Sequence, residues 1–348
     1  MRGWLLAECA LAGILAAAPA RGAAEPHADP DKDDDAPPAS GREMIPMPTL
    51  GGPQLWADEL FFHQWRIQRK ALSEQCRLLD EHNLRRASGT FAQCQAALEE
   101  IKRERKLPPM EGCAVLVLHG IADSRSSMNA LCRHLEEKGS YRVFNVGYPS
   151  TRQGIAENAR SLGRIVEHLD GIEEIHFVGY SLGNLVIRRY LADQVKRSAG
   201  KPDPRFRRMV MIGPPNHGSE LATSLGENVL FELLLGKTGQ QLGRLWVWEA
   251  GSLATPSFEF GIIAGGCGND RGYNPLLPGD DDGIVTVASA RLAGASDFVL
   301  VPALHALLNR EPRVHQLTLR FLKHGFFVAP ERRSPVPKED ESPMTKDE

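Results

Sequence analysis

Between residues 113 and 322, short apolar runs alternate with longer stretches whose apolar residues recur at helical spacing. No other feature constrains the fold as strongly. Strands are predicted over 113–118, 141–146, 174–178, 207–212, 258–264 and 298–301, and helices over 126–138, 155–169, 182–195 and 313–322. The run from Cys113 to Leu118 is apolar throughout, as suits a strand buried on both faces. Strands separated by helices of this length pair in parallel, because the helix carries the chain back to the starting edge. The expected fold class is α/β: a doubly wound, mostly parallel sheet forming one domain over 112–328.

Residues 55–107 contain no proline, and their apolar residues fall into two stripes. Trp56, Leu60, Phe61, Trp65, Leu72, Cys76 and Leu79 make the first; Phe91, Cys94, Leu98 and Ile101 make the second. With a turn over 83–89, this predicts an N-terminal helical hairpin ahead of the main domain. Cys76 and Cys94 lie at similar distances from that turn, so an antiparallel hairpin would bring them level for a disulfide. The alternative is two small core residues. Lys102, Arg103, Arg105 and Lys106 suit a solvated helix end.

Arg2, an apolar run over 4–18 interrupted by Glu8, and the small residues Ala18, Ala20, Gly22, Ala23 and Ala24 predict a secretory signal peptide over 1–24. The chain is therefore expected to be exported, to the periplasm, the cell envelope or the medium. Residues 25–54 and 329–348 are rich in proline and charge, and both are expected to be disordered, as a linker and a tail. A net charge of −3 offers no surface for a polyanion, so no nucleic-acid partner is expected. Six cysteines in 348 residues are too few for a disulfide scaffold.

The predicted strand ending at Val178 runs into Gly179-Tyr180-Ser181-Leu182-Gly183 and then directly into a helix. A serine on so sharp a turn projects its hydroxyl above the sheet, and the next amide, Leu182 N–H, faces the same space. Serine needs a base. Of the eleven histidines, His119, His217 and His305 lie at the C-terminal ends of predicted strands, where open α/β sheets hold their ligands. His305 alone satisfies the chain order Ser, Asp, His. Asp282, beside Gly283 and 23 residues before His305, is the preferred acid, with Asp281 and Asp280 as alternatives. Gly120 after the first strong strand lets the chain fold back, so Ile121 N–H and Leu182 N–H are the expected oxyanion donors. No phosphate loop, zinc-ligand spacing or dinucleotide glycine pattern is present, and no metal or cofactor is expected.

The segments VLVLHGI (115–121), VGYSLG (178–183), GPPNHGS (213–219), DDGIVTVASA (281–290), LHALLN (304–309) and RFLKHGFF (320–327) together resemble the α/β-hydrolase superfamily. Within it they are similar to bacterial serine lipases and GPI-inositol-deacylase-like lipases. The resemblance implies Ser181 as nucleophile, Asp282 as acid, His305 as base, and His217 as a residue that shapes the site without joining the triad. Asn184 departs from the glycine many relatives carry, and Ala306 from an acid that supports calcium in some, so calcium is not carried over. The apolar insertion over 219–245 is expected as a helix packed on the sheet or as a lid. The expected function is hydrolysis of carboxylic esters, lipidic ones foremost, with transient contact to a membrane surface. Acyl transfer by the same triad, or a catalytically silent binding module, are the alternative readings.

Overall fold

The computed structural model describes residues 52–217 and 251–338. The expected signal peptide, the linker as far as residue 51, the 219–245 insertion and the tail from 339 lie outside the described residues.

Residues 56–89 form a sheet, and the helical hairpin expected there is corrected. Strands β1 (Trp56–Phe62), β2 (Trp65–Lys70), β3 (Cys76–Leu79) and β4 (Arg85–Gly89) make a four-stranded antiparallel meander in sequence order. Only the second half of the segment is helical. Helix α1 (Phe91–Glu104) starts at Thr90, whose side chain and that of Gln93 close a reciprocal capping box. The difference has a physical cause. Strand β1 is buried on both faces from Ala57 to Phe62, Asp58 and Glu59 included, so it lacks the two-residue alternation of a half-exposed strand. Its buried charges are paired: Asp58 Oδ1 accepts from Gln68 at 2.7 Å and from Arg66 at 3.4 Å, and Glu59 accepts from Arg69 at 2.9 Å and from Arg164. In sequence these residues imitate the solvated face of a helix.

The disulfide is corrected for the same reason. Cys76 lies on strand β3 and Cys94 on helix α1 instead of on two antiparallel helices, and both are buried, free thiols. Burial pushes both thiols upward, Cys94 to about 12.

The main sheet has six strands: β5 (Gly112–Leu118), β6 (Arg142–Val146), β7 (Ile172–Tyr180), β8 (Phe206–Ile212), β9 (Glu259–Gly265) and β10 (Asp297–Val301). Their order is β10-β9-β8-β7-β5-β6, with every pair parallel. The chain goes from β5 outward to β6, returns to β7 on the other side of β5, and continues outward. That reversal opens a crevice at the carboxyl ends of β5 and β7. The intervening helices are α2 (Asn129–Gly139), α3 (Ile155–Glu167) and α4 (Leu182–Arg197).

Both faces of the sheet are covered. Val115, Val117, Val178 and Val210 share a core with Leu131 and Leu135 of α2. Ala114, Leu116, Phe177 and Met209 share another with α3, α4 and the N-terminal sheet. The expectation of disorder also fails at both flanks of the domain. Gln54 is hydrogen-bonded to the loops after β5 and β6. Beyond residue 329, Val336 N–H donates to Ala295 and its carbonyl accepts from Gly294, both at 2.9 Å, while Val336 packs on the core. Those contacts offset the entropy of ordering the segment. The molecule has the fold of an α/β-hydrolase with an antiparallel sheet set ahead of it.

Candidate active site

Ser181 directly follows β7 and is the N-cap of α4 at φ 51° and ψ −120°, a backbone region side chains rarely enter. Holding it there stores about 1–3 kcal/mol of strain. The flanking glycines are dictated by contact. A Cβ on Gly179 would stand 2.3 Å from Asn184 Oδ1, and one on Gly183 would stand 2.6 Å from the Leu118 carbonyl. Ser181 N–H donates to the Ile212 carbonyl at 2.9 Å, fastening the turn to β8. Asn184, fully buried, donates from Nδ2 to the Ser181 carbonyl (3.0 Å) and to the Ile212 carbonyl (3.2 Å).

The single turn α5 (Val287–Ala290) follows Asp282, and His305 opens α6 (His305–Leu308) just past β10. Its Nε2 lies 2.9 Å from Ser181 Oγ, and its Nδ1 lies 2.6 Å from Asp282 Oδ2. The backbone repeats the link, since His305 N–H donates to the Asp282 carbonyl at 2.8 Å. Tyr180 donates its hydroxyl to the His305 carbonyl at 2.8 Å, and burial holds that phenol well above its ordinary value. Gly213, at φ 51°, lies against the imidazole: a Cβ there would be 3.2 Å from Cε1.

Asp282 is 1% exposed. Its Oδ1 accepts from Ile284 N–H at 3.0 Å and Val285 N–H at 2.7 Å, which leaves Oδ2 for the imidazole. A carboxylate so supplied with donors holds the proton on Nδ1, and Nε2 is then free to accept from the Ser181 hydroxyl. The neighbouring aspartates point elsewhere. Asp281 accepts from Asn274 N–H (3.0 Å) and Gly283 N–H (2.6 Å), and burial raises its pKa. Asp280 accepts from Cys267 N–H (2.7 Å) and Gly268 N–H (2.8 Å).

Ser181, His305 and Asp282 are therefore brought together, and Asp280 and Asp281 build the loop that presents Asp282. Gly120 lies against the serine, since a Cβ on it would be 3.3 Å from Ser181 Cβ; Ile121 follows it and Leu182 follows the serine. His119 is buried, stacks on Tyr148 and bonds through Nδ1 to the Gly120 carbonyl, so it belongs to the loop. His217 is exposed and bonds through its backbone N–H to Ser289. Asn184, Tyr180 and Tyr148 are the residues that sequence reasoning missed. Among the described residues, no group of three or more His, Cys, Asp or Glu is arranged to hold a metal ion.

A family model described as a domain of unknown function (DUF7379) matches residues 81–242. No curated protein matches the chain. Among solved structures, the lin2722 gene product of Listeria innocua is 18% identical, over 62% of this chain and 95% of its own, with a TM-score of 0.44. The mature form of the lipase BlEst2 from Bacillus licheniformis is 17% identical, over 62% of this chain and 91% of its own, with a TM-score of 0.43. A thermophilic esterase from Thermogutta terrifontis is 16% identical, over 62% of this chain and 91% of its own, with a TM-score of 0.39.

Proposed function

We propose that this chain hydrolyses carboxylic esters with apolar, lipid-like acyl groups through an acyl-enzyme on Ser181. The observation that carries the reading is the unbroken hydrogen-bonded line from Ser181 Oγ through His305 to Asp282. As Ser181 Oγ attacks the ester carbonyl, its proton passes to His305 Nε2. The N–H groups of Ile121 and Leu182 hold the oxyanion. Collapse breaks the bond to the alcohol, which leaves with the proton from Nε2. Water then gives a proton to Nε2, attacks the acyl carbon, and releases the carboxylic acid as the proton returns to Oγ. Asp282 stays ionised throughout and supports the imidazolium.

The apolar preference rests on where the exposed large apolar residues sit. Of the six among the described residues, Tyr273, Leu276, Leu304 and Leu307 lie on the two segments that carry Asp282 and His305. A concentration of this kind on the segments that present the acid and the base suits an acyl chain.

The test uses the purified chain, p-nitrophenyl esters of increasing acyl length, and a fluorophosphonate probe. The wild type is expected to turn over and to label, with rates rising as the acyl chain lengthens. Ser181→Ala is expected to lose labelling and at least ~10⁴-fold in kcat. Undiminished turnover in Ser181→Ala, or a wild type that neither hydrolyses nor labels, overturns the reading. A flat response to chain length removes the lipid-like part alone.

A further inference from the structure

The N-terminal sheet and the residues just before it reach the loop that follows β5. Gln54 Nε2 donates to the Asp123 carbonyl at 2.8 Å and to Ser150 Oγ at 3.1 Å. Its Oε1 accepts from the Thr151 N–H and hydroxyl, each at 3.0 Å. One side chain thereby ties the loop after β5 to the loop after β6.

A second tie starts at Asp58, which is fully buried. Its backbone N–H donates to the Gly147 carbonyl at 2.9 Å, and its Oδ2 accepts from Gly147 N–H at 2.6 Å. Gln68 donates to Oδ1 of the same carboxylate, and Arg77 holds Gln68 through two bonds to Oε1. Next in the chain is Tyr148, 2% exposed. Its hydroxyl donates to the His119 carbonyl, and its ring stacks on the His119 imidazole with centroids 4.2 Å apart. That carbonyl in turn abuts the elbow, since a Cβ on Gly183 would come within 2.9 Å of it. Gly120 and Ile121 follow directly.

An oxyanion donor works only where its peptide is held, and a displacement of 1 Å at a reacting centre costs on the order of 100-fold in rate. Here one end of the loop carrying Ile121 N–H is held directly by Gln54, and the other by Tyr148, whose neighbour Gly147 is fixed by Asp58 of the antiparallel sheet. We propose that the antiparallel N-terminal sheet braces the oxyanion loop, with Asp58, Tyr148 and Gln54 as positioning residues for Ile121 N–H. This rests on the ester-hydrolase reading above. It also gives the extra sheet a catalytic purpose that no residue in it would otherwise serve, because none of its side chains touches the reacting atoms.

Tyr148→Phe removes one hydroxyl and keeps the stacked ring; Gln54→Ala cuts the other tie. Turnover of p-nitrophenyl butyrate is measured per titrated active site, together with the affinity for a boronic acid that forms a tetrahedral adduct on serine. In Tyr148→Phe and in Gln54→Ala, kcat is expected to fall about tenfold. The boronic acid should weaken in parallel, KM should stay within about twofold, and melting should shift little. Wild-type kcat per titrated site in both variants overturns the brace. So does a loss confined to melting temperature or to the fraction of titratable sites, which is what a merely structural role would give. A wild type with nothing to titrate defeats the esterase reading itself, and is told apart from those outcomes by that absence.

Discussion

A serine at φ 51° keeps its conformation only if the surrounding contacts outweigh the strain, and Asn184 supplies two of them. Its amide bridges the Ser181 and Ile212 carbonyls, the latter being the group that also receives Ser181 N–H. Replacing Asn184 with alanine leaves these buried carbonyls one donor short and is expected to cost about 1–3 kcal/mol in urea unfolding. It should also lower kcat, because one of the two links between the serine turn and β8 is lost and only the Ser181 N–H bond remains. An unchanged unfolding midpoint in Asn184→Ala would mean that the backbone alone holds the turn. The side chains that meet at the site are legible in the sequence because residue type, chain order and strand ends restrict the choice. Asn184 is not, since in sequence it is only a departure from a glycine pattern. Its purpose depends on two carbonyls brought near from positions 181 and 212. Tyr180 is the same kind of case, its hydroxyl reaching a carbonyl 125 residues away.

Strand β7 leads into Ser181 and carries His176 at its middle. His176 sits with Cys113, Tyr141, Glu174, Arg207 and Arg208 around a cavity of about 570 Å³ near the amino ends of the parallel strands, away from the serine. Burial pulls its pKa from 6.5 down to about 4, with Glu174 opposing and Arg208 and Arg207 assisting. The unfolded chain therefore takes up a proton near pH 6.5 that the folded chain refuses until about pH 4. Stability is complete above pH 6.5 and declines as the pH falls towards 4, by about 3 kcal/mol. His176→Phe, which keeps an aromatic ring against Tyr141, should flatten that decline. Urea unfolding at a series of pH values measures it, and parallel curves for the two proteins would count against the assignment. At the scale of elements, the parallel strands are readable because continuous apolar runs set between amphipathic helices fit a doubly covered sheet and little else. Strands β1 and β3 are not, because strands buried on both faces with hydrogen-bonded charged side chains inside lose the alternation that marks a strand.

The sequence separates the chain into a hairpin and a catalytic domain, and the structure joins those two parts. Leu60, Phe61, Trp65, Ile67 and Leu78 of the antiparallel sheet lie in one core with Leu116, Phe144, Ile155 and Leu162 of the parallel-sheet domain. Glu59, fully buried, receives Arg69 from its own sheet and Arg164 from α3, so a charge pair crosses between the layers. Removing either layer would expose the other's apolar face and break the Glu59–Arg164 pair. Neither consequence can be read from local periodicity, which reports that a face is apolar but not what covers it. The expected outcome is one cooperative transition for both sheets. Trp56 and Trp65 report on the antiparallel sheet once Trp4, Trp246 and Trp248 are replaced by phenylalanine, and fluorophosphonate labelling of Ser181 reports on the parallel one. In urea the two signals should fall at the same midpoint. If tryptophan fluorescence changes first while labelling persists, the antiparallel sheet unfolds on its own, and it cannot then be what holds the oxyanion loop in place.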